Sequence, residues 1–201
     1  MYVWFSGRQR LFTPSGHVGK CGLLSFRDVA QAYMLYVLRE FHRVPTSRIR
    51  EALLELRKES KNTHPLLSLD IKVLGTRLLL DKPARGRHGR EIVDLSSSRN
   101  LALGPVVDAW GKRIIQSSNR QPVQLFPWRF FTSDESRPVT LDPAVMSGQL
   151  VVTGTRIPVN VLLGMKSRGK EPEEIAEMYR LSPGVVEKAL LHIEHPLPKV
   201  A

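Results

Sequence analysis

Apolar positions recur at helical spacing from residue 26 onward. Phe26, Ala30, Tyr33, Val37, Leu38 and Phe41 share one stripe and predict a helix over 26–41, with Ser25 as its N-cap. His42-Arg43-Val44-Pro45 turns the chain. Ile49, Ala52, Leu53 and Leu56 then predict a second helix to Glu59, with Arg48, Arg50, Arg57 and Lys58 on its polar side. Beyond it the period changes. Ile71 and Val73, followed across Gly75-Thr76 by Leu78 and Leu80, alternate as in a hairpin. Ile92-Val93 and Val123 to Phe126 read as short strands, and 101–115 as helix-like. A small antiparallel sheet with one helix across it would bury this middle set.

The last quarter is the most regular. Leu150 and Val152, between Gly148 and Gly154, predict a short hairpin or β-arm. Three short helical segments follow. One spans 159–166 and ends at Gly169, where glycine can take the left-handed cap conformation. One starts at Pro172, with Glu173 and Glu174 beside the positive end of the helix dipole and Ile175, Ala176 and Tyr179 inward. The third starts at Ser182-Pro183, buries Val185, Val186, Ala189, Leu190 and Ile193, and stops at Pro196. The expected fold class is α+β, mainly helical, in three parts: 1–61, 62–137 and 138–201. The last is a β-arm plus a three-helix, homeodomain-like helix-turn-helix.

Composition narrows the classes. At 42% hydrophobic and 24% charged, the 201 residues are those of a globular protein rather than a disordered one. A lone cysteine, Cys21, excludes an intramolecular disulfide framework. No apolar run is long enough to span a bilayer and no secretory segment opens the chain, so a cytoplasmic protein off the membrane is expected. The net charge is +11 and unevenly placed. Residues 1–61 hold 11 Lys/Arg against 5 Asp/Glu, residues 62–141 hold 12 against 7, and the final 60 hold 7 against 7. The surplus therefore lies upstream of the three-helix segment, where it fits a polyanion or an acidic protein surface.

Catalytic chemistry is not suggested. His17, His42, His64, His88, His192 and His195 are scattered; only His192 and His195 are close, and histidines at a helix C-terminus commonly complement the dipole. The carboxylates show no paired spacing of a metal nuclease, and GTRIPV lacks the Lys-Ser/Thr of a P-loop. No cofactor or metal is expected. Binding remains. Arg8 and Arg10 lie in a Gly-rich N-terminal segment that reads as a flexible arm or as an arm against nucleic acid. Arg48 and Arg50 on the second helix, and Arg85, Arg87 and Arg90 of the RGRHGR loop, are candidates for phosphate contact or are solvated charge. The third C-terminal helix offers Lys188 against Glu187 and Glu194, which suits protein contact better than base reading. Trp128, Phe130 and Phe131 either form a dimer surface or close the core.

The C-terminal residues carry a resemblance. Asp142, Pro143, Val145 and Gly148, then Gly154 through Val159, then Gly169, Glu173 to Ala176, Tyr179, Leu181 to Pro183 and Val186 resemble the small antitoxin domain long filed as a domain of unknown function. Glu171 stands where that family has a capping Ser and Gly184 where it has an acid, which predicts weaker helix starts. The stretch from Leu23 to Leu56 resembles the part of a MerR-type DNA-binding domain that follows its wing, with residues 1–12 matching only the end of the recognition helix and the wing. Together these imply an antitoxin of a type II, VapBC-like pair, whose partners are a PIN-like ribonuclease toxin and operator DNA, acting as a homodimer. They imply toxin contact through Arg156, Ile157, Tyr179 and Lys188. Arg156 would clamp a carboxylate or satisfy carbonyls at the hairpin exit. The alternative is a stand-alone transcription regulator without a toxin.

Overall fold

A computed structural model describes residues 11, 24–40, 44–59, 64–67, 71–74, 77–83, 90–94, 113–119, 121–127 and 136–194. The protein is mixed α+β, with more residues in helix than in strand among those described. It divides into two compact units, 1–112 and 113–201.

In the first unit, α1 (Phe26–Glu40) and α2 (Thr46–Glu59) form as the apolar spacing predicts. Ala30, Tyr33, Val37 and Leu38 are buried on α1, and Ile49, Ala52, Leu53 and Leu56 on α2; Phe26 is half-buried, and Phe41 lies outside the described residues. Leu35, Leu38, Ile49 and Leu53 sit in one core with Leu11 and Leu66. Ser25 caps α1 as expected, through a reciprocal box with Asp28. The Ser25 N–H donates to Asp28 Oδ2 (2.8 Å), and the Asp28 N–H to Ser25 Oγ (3.2 Å). Arg39 donates to Thr46 Oγ1 across the helix connection (2.9 Å). A single 3₁₀ turn, Pro65–Leu67, follows. Strands β1 (Ile71–Leu74), β2 (Arg77–Pro83) and β3 (Arg90–Asp94) then form an antiparallel sheet in chain order, with Val73 opposite Leu78 and Leu80 opposite Val93.

The second unit departs from expectation in two ways. Ile114 and Ile115, assigned by spacing to a helix over 101–115, lie in strand β4 (Ile114–Gln116); residues 101–112 lie outside the described ones. Two adjacent β-branched side chains suit a pleated strand, and β5 (Pro122–Leu125) supplies the partner, with Ile114 opposite Leu125. Nor is there one middle sheet. The strands expected to share it fall into two, because β4 and β5 join β6 (Val139–Leu141) and β7 (Leu150–Val152) in the order β4-β5-β6-β7. That sheet crosses the 137/138 boundary read from the sequence. Buried Arg113 donates to the Ser136 carbonyl (2.9 Å), and Arg137 stacks over the Phe126 ring at 4.7 Å, so the segments flanking the boundary hold each other.

Helices α3 (Val159–Lys166), α4 (Pro172–Tyr179) and α5 (Pro183–Glu194) complete the unit. Val139 and Val152 from the sheet, Val159 and Leu162 from α3, Ile175 from α4, and Val186 and Leu190 from α5 form one core, each 0–1% exposed. Burying a side chain of this size contributes about 1.5–3 kcal/mol. Gly169 ends α3 in the left-handed conformation (φ 83) as expected.

Candidate functional site

The six residues GTRIPV build a closed turn on the edge of the second sheet. Gly154 takes φ 77, which favours glycine. The Thr155 hydroxyl donates to the Val152 carbonyl (2.9 Å) and accepts the Ile157 N–H (3.0 Å). The Val152 N–H in turn donates to the Ile157 carbonyl (2.9 Å), and Pro158 bridges back to Val151. Ile157 and Val159 turn inward to the core. Five of the six positions thus serve the turn or the packing. Arg156 serves neither: it is exposed, and among the described residues its guanidinium has no hydrogen-bond or ion partner, so it does not satisfy the carbonyls of the hairpin exit.

Tyr179, at the last turn of α4, is half-buried against the core, while Lys188 is exposed on α5. The core-facing positions of α5 are Val186, Ala189 and Leu190. At 100° per residue, Gly184, Glu187, Lys188 and Leu191 fall on the opposite face. All four are exposed, Leu191 at 47%. Charges on this face balance, and a leucine stands among them. The Nδ1–H of His192 donates to the Lys188 carbonyl (2.9 Å), which is the local helix-end role anticipated for it.

The N-terminus of α4 is made without a serine. Lys170 and Glu174 pair at 2.7 Å, and Glu174 Oε2 accepts the Glu171 N–H (3.0 Å) in a capping box. The hydrogen bond from Lys170, with that from the backbone of Glu171, holds the Glu174 carboxyl below the usual glutamate range.

Of the basic candidates upstream, Arg48 and Arg50 are exposed on α2, the face the helical period assigns them. Arg90 opens β3. Arg8, Arg10, Arg85 and Arg87 lie outside the described residues, as do Trp128, Phe130 and Phe131. Arg57, grouped with the outward cations by spacing, donates to the Leu11 carbonyl (3.1 Å). One polar pair escaped the sequence reading. Asp28 and His64, 0% and 2% exposed, meet with His64 Nε2 at 2.9 Å from Asp28 Oδ1. The same carboxylate that caps α1 thereby fastens the Pro65–Leu67 turn to that helix. The sequence reading named Ser25 as the cap but not Asp28, and nothing local pointed to His64, 36 residues on. No helix among the described residues is long and apolar enough to cross a membrane.

This geometry accompanies a family match over part of the chain. Residues 139–191, from β6 into α5, match the family described as a protein of unknown function (DUF433). No curated protein matches the chain. Among solved structures, the crystal structure of Rv2018 from Mycobacterium tuberculosis is similar in fold. It is 20% identical, with a TM-score of 0.62, over 94% of this chain and 88% of that one. At that identity the likeness shows the fold alone.

Proposed function

We propose that the protein is the antitoxin of a VapBC-like type II toxin–antitoxin pair. In this reading the three-helix, homeodomain-like tail docks on a PIN-like ribonuclease toxin. The basic upstream unit, read as a partial MerR-like module, contacts operator DNA and represses the operon, as a homodimer. The observation that carries the reading is Arg156. A guanidinium with no partner among the described residues, on a turn fixed by its own hydrogen bonds, is preorganised to grip a carboxylate on another protein. The charge-balanced outer face of α5, with Leu191 exposed, favours protein contact over phosphate contact for this unit. The exposed Arg48 and Arg50, in a segment with net charge +6, support the DNA-contacting part.

Co-expression with the product of the adjacent reading frame tests this. The expected outcome is rescue of growth and a complex that co-purifies, with Arg156→Ala weakening it by roughly tenfold or more while the fold is unchanged. Unchanged affinity in a titration of Arg156→Ala would remove the clamp. The competing reading, a regulator acting without a toxin, is supported by the same exposed arginines of α2. It predicts operator binding with no effect of the neighbouring product on growth.

A further inference from the structure

The residue that closes α4 in the left-handed conformation is an arginine. Arg180 takes φ 55 and ψ 43; its N–H reaches the Ala176 and Glu177 carbonyls, and the Leu181 N–H returns to the Ala176 carbonyl at 2.8 Å. This reversal turns half-buried Leu181 towards the core and aims the chain into α5. The fold therefore demands positive φ here. Glycine meets that demand without a clash, and the same unit uses it after α3 (Gly169, φ 83) and after β7 (Gly154, φ 77), with Met146 and Ser147 in the turn before β7 as its other non-glycine residues at positive φ. An L-residue brings its Cβ against the following carbonyl. A side chain kept against that cost is explained when it contributes to folding. That of Arg180 is exposed and, among the described residues, has no hydrogen-bond or ion partner. Two positions earlier stands Met178, 58% exposed and the most exposed large apolar side chain among the described residues. Both leave the C-terminal end of α4.

We infer that this corner is a second contact point for the partner protein, resting on the protein-binding reading above. Arg180 takes a carboxylate of the partner, and Met178, whose unbranched thioether adapts to irregular apolar surfaces, packs beside it. The local backbone strain is the cost of keeping a cation where glycine would fold better.

The test uses the full chain and the product of the adjacent reading frame. Arg180→Gly is expected to raise the melting temperature of the free protein and to weaken the complex by roughly tenfold. Arg180→Lys keeps charge and strain and is expected to fall between the two in affinity. Met178→Ala is expected to weaken the complex with no change in melting temperature. If Arg180→Gly binds as the unaltered chain does, the corner is no contact point, while the antitoxin reading stands. If Arg180→Gly loses stability together with binding, the arginine is structural and the inference fails. If the unaltered chain forms no complex, both readings fall.

Discussion

Thr155 shows how one hydroxyl can fix the presentation of a neighbour. It donates to the Val152 carbonyl and accepts the Ile157 N–H, so Thr155→Val replaces two hydrogen bonds with a methyl of similar volume. The expected loss is about 1–2 kcal/mol in urea unfolding, with Arg156-dependent affinity falling as the turn loosens. A substitution that left the unfolding midpoint in place would show that the turn holds without the hydroxyl. The turn itself was legible in the sequence, since Gly154 marks a left-handed position and Pro158 precedes a helix. The freedom of the Arg156 guanidinium was not. Whether an arginine at a hairpin exit folds back on carbonyls or points away depends on where the turn places its Cα, and spacing leaves both open. His64 illustrates the same limit: its partner Asp28 is 36 residues away, and only the packing of the Pro65–Leu67 turn on α1 brings the two together.

Elements were legible where period and capping agreed. Helices α1, α2, α4 and α5 follow their apolar stripes, α3 spans the residues read for it, and β1 and β2 pair antiparallel as read, with Leu74 opposite Arg77. At α4 the absent capping serine predicted a weak start. The structure instead satisfies the Glu171 N–H with the carboxylate of Glu174, itself gripped by Lys170. Since folding lowers the Glu174 pKa, the ionised form is favoured in the folded state. The contribution of this cap is complete above the ordinary glutamate range and is lost as pH falls through the lowered folded-state value. The difference in urea midpoint between the unaltered chain and Glu174→Gln is thus expected to be largest near neutrality and to shrink in acid. A difference independent of pH would assign the effect to helix propensity alone. The helix expected over 101–115 failed at its end for a different reason. Its apolar spacing suits either period, and Ile114 and Ile115 are drawn into a strand by the pairing that β5 offers.

For the whole molecule the decisive fact is that β4 and β5 share a sheet with β6 and β7. Leu125, 1% exposed, lies opposite Leu141, and the Thr140 hydroxyl donates to the Leu125 carbonyl (3.3 Å). A chain begun at residue 138 keeps the three-helix core but exposes the β6 edge; one begun at residue 113 keeps the sheet. The longer piece is expected to melt several degrees higher and to resist aggregation better. Equal melting temperatures would show that β4 and β5 add nothing to the tail. By itself the sequence determined helices α1 to α5, the β1–β2 pairing and the segregation of positive charge upstream of a neutral tail, because each depends on the period or the content of a continuous stretch. The tertiary structure alone decided which strands share a sheet, that Asp28 meets His64, and that Arg156 and Arg180 have no partner among the described residues. Those depend on residues distant in the chain arriving, or not arriving, at the same place.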